Sequence, residues 1–150
     1  MNILARLHPL VIHFPVVLLF FYLGLEIINI FLKNSVLKKY SLIILAFGVI
    51  SGIFAVLTGN LAFQKLIDHP NITKLHLMLI EKHELFASLT MWYFLALLVF
   101  QFYRYVKKKN ESRLDYLFVI FIIGGVILLY KTAQVGGILV YKFGIGTDLL

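Results

Sequence analysis

Four apolar runs of membrane-spanning length, joined by short basic or mixed connections, predict an all-α fold: a four-helix transmembrane bundle of up-down-up-down topology, with both termini on the outer side. Three observations carry this reading. The 150 residues are 61% hydrophobic and 14% charged, against roughly one half and one quarter in soluble domains. Each apolar run reaches the roughly 20 residues that cross a bilayer. Lysine and arginine are also unevenly shared among the connections. The first carries Lys33, Lys38 and Lys39 and the third Arg104, Lys107, Lys108, Lys109 and Arg113, whereas the second mixes Lys65, Lys74 and Lys82 with Asp68, Glu81 and Glu84. The positive-inside rule places the first and third connections inside. The formal charge of +7 is thereby assigned to orientation and to lipid headgroups, with no nucleic-acid partner implied. The chain contains no cysteine, which excludes disulfides, iron–sulfur clusters and covalent haem attachment and leaves His, Asp, Glu and Met as possible metal ligands.

All 150 residues read as one domain with spans at about 10–32, 40–64, 76–104 and 114–138. The first run contains His13, Glu26 and Asn29. It follows Arg6 but is too long for a signal core and lacks a small-x-small cleavage site, so a permanent span is expected. Pro9 suits the first helical position, leaving His8 outside as a cap or loop residue free to turn inward. Pro15 removes its own donor and frees the Val11 carbonyl, which predicts a bend one turn below the outer surface. The second run is free of charge. Its small residues Gly48, Gly52, Ala55 and Gly59 form a seam for close helix contact, within the bundle or between two copies. The third is capped by Asn71 or Thr73, just after Pro70. The fourth carries Lys131 and ends in a glycine-bearing tail, Gln134 to Gly144.

The five histidines, His8, His13, His69, His76 and His83, all fall in the outer half of this arrangement. Polar side chains there need partners, because hydrocarbon offers none. His13 lies inside the first run and His83 just before the third, with depths differing by only ~7 Å at the helical rise. Two imidazoles facing each other from diagonal helices are the arrangement that holds a haem b. The expected axial ligands, and metal-binding residues, are His13 and His83, with His8 in reserve. His8 and His13 are five apart and do not share a helix face, so one site is expected, not two. Thr58 and Gly59 lie level with the histidines. Gly136 and Gly137 permit close approach, and Tyr141, Lys131 and Lys142 offer a hydroxyl and cations where haem propionates would emerge. Each residue also has a plainer role: histidines bonded to carbonyls at the interface, glycines as packing, Tyr141 and the lysines as anchors.

Glu26 is costly in the inner half of a span and is expected to be protonated or paired with an inner lysine such as Lys33. No second buried acid continues a proton path. Glu81-Lys82-His83-Glu84 lacks the second histidine of a zinc-protease helix, and no hydrolytic triad, phosphate loop or dinucleotide fingerprint is present, so a stand-alone enzyme is not indicated.

His8-Pro9-Leu10-Val11-Ile12-His13-Phe14-Pro15, Thr58-Gly59, His83-Glu84 and Gly136-Gly137-Ile138-Leu139-Val140-Tyr141-x-x-Gly144 occur in order across nearly the whole chain. Together they resemble the bacterial membrane family called domain of unknown function 2231. The resemblance implies a small four-span protein of the bacterial inner membrane, sometimes joined to c-type cytochrome modules. It touches His8, His13 and His83 but not His69 or His76. Two other readings stand beside a haem-binding electron carrier in a respiratory complex. One is a cofactor-free structural or assembly subunit, meeting lipid, larger subunits or a second copy through the Gly48/Gly52 seam. The other is a zinc or copper site built from His8, His13, His83 and Glu84.

Overall fold

Four helices form the protein in a computed structural model that describes residues 7–67, 70–107 and 112–146, with 112–117 as backbone only. His69 and Asp68 of the second connection, Lys108 and Lys109 of the third, and both chain ends lie outside the described residues. The helices are α1 (His8–Leu32), α2 (Ser35–Leu66), α3 (Lys74–Val106) and α4 (Ser112–Phe143). All four are long and apolar enough to cross a membrane, and no strand occurs among the described residues. With 32 and 33 residues, α2 and α3 exceed the predicted spans. At 1.5 Å per residue they outreach a hydrocarbon layer of about 30 Å and extend past it.

Local chemistry sets the ends. Leu7 precedes the first helical turn and His8 is its first residue, so Pro9 sits one position later than its preference suggested. α1 is interrupted at Ile12, beside the Val11 carbonyl that Pro15 cannot serve. At the other end Lys33 takes a left-handed conformation, φ 48°, and Asn34 caps α2 by accepting from the amides of Val36 at 2.8 Å and Leu37 at 3.2 Å. Asn29 Oδ1 in turn accepts from the Asn34 amide at 3.0 Å. Thr73 caps α3 in a reciprocal box with His76, whose Nδ1 accepts from the Thr73 amide at 3.2 Å. His76 is thus spent on the helix end. Thr73→Ala removes one half of the box and is expected to cost about 1 kcal/mol, seen as faster amide exchange in the first turn of α3.

Each helix packs on two others: α1 on α2 and α4, and α3 on α2 and α4. Contacts between α1 and α2 run in reverse order, Glu26 with Ser41, Leu19 against Gly48 and His8 against Gly59. Across the middle α1 meets α3 through side chains, with Tyr22 edge-on to Phe94. The main core gathers Leu19, Tyr22, Leu23, Leu45, Phe94, Leu97, Phe118 and Ile122. A smaller apolar cluster, Ile80, Leu139 and Ile145 with Phe63, Ile72 and Phe143 against it, closes the histidine end. Gly144 (φ 67°) and Gly146 (φ 85°) turn the chain there so that Ile145 is buried and Gly146 meets Pro9. Large apolar side chains such as Phe31, Phe47 and Trp92 cover the outside, the surface expected against lipid. The Gly48/Gly52 seam is used within the chain. Gly48 is buried against Leu19, and Gly52 against Met91 and Pro15, so these glycines are not available to join two copies.

The chain also repeats itself. Buried Pro15, Leu19, Tyr22 and Glu26 of α1 correspond to buried Thr90, Phe94, Leu97 and Gln101 of α3, 75 residues later in every case. Buried Ser41, Leu45, Gly48, Gly52 and Thr58 of α2 correspond to Phe118, Ile122, Gly125, Leu129 and Val135 of α4, 77 residues later. Two similar α-hairpins therefore build the bundle, although few residue identities survive between them.

Candidate functional site

The repeat places one histidine in each hairpin at the same position: His8 at the start of α1 and His83 in α3. Each lies on a glycine of its own partner helix, and these glycines also correspond. A Cβ built on Gly59 would stand 2.9 Å from His8 Cε1, and one built on Gly136 would stand 2.9 Å from His83 Cε1. Any larger residue at either position would push the ring away.

Each ring is fixed through Nδ1. His83 Nδ1 lies 3.1 Å from the Thr132 carbonyl. A carbonyl only accepts, so Nδ1 carries the proton and, in the neutral ring, Nε2 keeps its lone pair. His8 Nδ1 lies 3.1 Å from Thr58 Oγ1, whose own proton goes to the Ala55 carbonyl at 3.0 Å. The hydroxyl therefore accepts from His8, giving the same tautomer. Ala55 and Thr132 are themselves corresponding positions in the repeat. Both rings are half-buried, and His8 lies within electrostatic reach of His83. Just below, the Thr90 and Thr132 hydroxyls lie 2.8 Å apart, so that one can donate to the other while the accepting hydroxyl donates to a carbonyl of its own helix, Phe86 for Thr90 or Leu128 for Thr132, tying α3 to α4 at this level.

Of the residues singled out from sequence, His8, Thr58, Gly59, His83 and Gly136 contribute to these two seats. His13 does not. It is exposed, with Nδ1 3.3 Å from the Leu10 carbonyl of its own helix, and the histidine of α1 within electrostatic reach of His83 is His8. The five-residue spacing lets only one of the two turn inward, and the early helix start gives that place to His8. Gly137 meets only Tyr141, at 3.9 Å, and Tyr141 is 93% exposed. Lys131 and Lys142 are exposed. Among the described residues no three His, Asp or Glu side chains gather as metal ligands, so His8, His13, His83 and Glu84 do not form a shared set. Thr132 was not singled out, and Ala55 was read only as part of the small-residue seam. Their signal lies in the repeat, which shows only when α1 and α2 are compared with α3 and α4.

The far end of the bundle holds a buried polar group. Glu26 accepts from Ser41 Oγ and from Gln101 Nε2 at 3.0 Å. Lys33, one inner lysine expected to pair with it, is exposed at the end of α1, and the inner lysine that faces the carboxyl is Lys38.

No curated protein and no solved structure matches the chain. A family model described as predicted membrane protein, domain of unknown function 2231, matches residues 5–149, and the chain belongs to that family.

Proposed function

We propose that this multi-pass membrane protein holds one haem b between His8 and His83 and passes electrons near the outer side of the bacterial inner membrane, in an up-down-up-down bundle with both termini outside. The observation that carries the reading is the matched pair of seats: two imidazoles from different hairpins, each resting on glycine, each held by Nδ1 so that Nε2 keeps a lone pair. A hydrogen bond from Nδ1–H is the usual means of orienting a metal-binding histidine and raising its basicity. Two protein ligands suit a macrocycle that brings four nitrogens of its own, whereas a structural zinc ion needs about four from the chain. His8 and His83 would hold the group, Thr58 and the Thr132 carbonyl would orient them, and the apolar cluster around Ile80, Leu139 and Ile145 would exclude water above them. When bound, such a group supplies one-electron transfer, and ligation on both faces favours transfer over oxygen chemistry. A c-type cytochrome or a respiratory-complex subunit is the fitting partner.

The reduced-minus-oxidised visible spectrum of the detergent-purified chain, expressed with ample haem, tests this. Bands of a b-type haem are expected in the wild type and in His13→Ala, with a loss of at least about tenfold in His8→Ala and His83→Ala, since a removed ligand has no nearby substitute. A featureless wild-type trace would sink the reading.

A further inference from the structure

The second polar pair of the repeat stands at the opposite end of the bundle. Glu26 occupies the position in α1 that Gln101 occupies in α3, and the proposed haem site uses neither. Glu26 is 5% exposed and Gln101 4%. Ser41 Oγ from α2 donates to one Glu26 oxygen. Gln101 Nε2 donates to the other at 3.0 Å and reaches the Tyr22 hydroxyl at 3.5 Å. Both of these donors are neutral. The charged groups that face the carboxyl are Arg104 from α3 and Lys38 from α2. The Arg104 guanidinium lies against the rings of Phe100 and Phe118. α4 presents Phe118 and, among the described side chains, no titratable group.

One acceptor lacks a donor. Gln101 Oε1 is buried and accepts no hydrogen bond, a costly state for an amide oxygen. A carboxylate cannot relieve it, because it only accepts, whereas a carboxylic acid carries one donor. We propose that Glu26 and Gln101 form a proton-binding site in which the neutral Glu26 carboxyl donates to Gln101 Oε1. Gln101 Nε2–H gives to one carboxyl oxygen and the carboxyl O–H gives back to the amide oxygen, closing an acid–amide ring. The proton comes from water and neutralises the carboxylate. It also removes the desolvation cost of a buried anion at this depth.

Infrared spectra of the purified full chain at neutral pH, in water and in deuterated water, test the site with or without haem. The expected result is the carbonyl stretch of a protonated carboxylic acid. It shifts on deuteration, disappears in Glu26→Gln, and moves to higher frequency in Gln101→Leu, where the acceptor is gone. Isotopic labelling of glutamate side-chain carboxyls in the wild type assigns the band even where a variant fails to fold. A wild-type spectrum with only ionised carboxylate absorption, or a band that survives Glu26→Gln or ignores the label, would overturn the proposal.

Discussion

Gly136→Leu is expected to abolish the spectrum of bound haem while leaving the helical circular dichroism unchanged. A Cβ at this position would stand 2.9 Å from His83 Cε1 and 3.3 Å from Nδ1, both inside ordinary contact distance. Alanine would displace the ring by a few tenths of an ångström and strain its bond to the Thr132 carbonyl. Leucine would take the ring's place outright. The overpacking cost is roughly 1–3 kcal/mol, which a bundle of this size can bear, so the ligand is lost before the fold. Gly59→Leu is expected to act alike on His8, whose ring crowds that position with Cε1 at 2.9 Å and both nitrogens at 3.4 Å. Gly137→Leu is the matched control, because its nearest neighbour is the outward-turned Tyr141. In haem-free protein the same displacement is read from the imidazole nitrogen shifts of His83, which change when the Nδ1 bond breaks. Wild-type spectra and shifts in Gly136→Leu would show that the ring does not rest where the geometry puts it.

The architecture was legible because hydropathy over a run of residues reports directly on solvent. All four helices lie where the apolar runs fall, and Thr73, anticipated with Asn71 as a possible cap, is the one that caps α3. The site was legible only in part. Thr58-Gly59, His83 and Gly136 stood out because hydroxyls, imidazoles and glycines at the ends of apolar helices have few uses. The choice between His8 and His13 was decided by something the run does not encode. α2, α3 and α4 extend beyond the apolar stretch, so the level at which rings meet lies closer to the chain start than a bare span suggests, and there His8 faces inward. The partners of Glu26 were hidden for a different reason: Ser41 and Gln101 come from two other helices, and neither is marked by charge. The repeat was hidden because packing positions are kept while residue types are not, as with Leu19 and Phe94 or Glu26 and Gln101.

Phe94→Ala is expected to be the most destabilising single core truncation, and its size separates lipid from water as the reference. Phe94 is 0% exposed. Its ring meets Tyr22 of α1 edge-on with centroids 6.4 Å apart and Tyr93 at 5.8 Å, and it backs onto Gly125 of α4, whose added Cβ would stand 3.1 Å from Phe94 Cζ. In a soluble core such a truncation costs roughly 3–5 kcal/mol, part of it the return of the ring to water. Helices that separate within a bilayer leave the ring in hydrocarbon, so that part falls away and the lost packing contacts remain. A cost of roughly 2–3 kcal/mol is therefore expected from unfolding in mixed detergent, with Leu19→Ala, its counterpart in the repeat, somewhat smaller. Trp92→Ala removes a larger side chain that is 71% exposed and is expected to change stability by less than about 0.5 kcal/mol. If Trp92→Ala proves as costly as Phe94→Ala, that outer face is packed against protein and not lipid, and the bundle works as one layer of a larger membrane assembly.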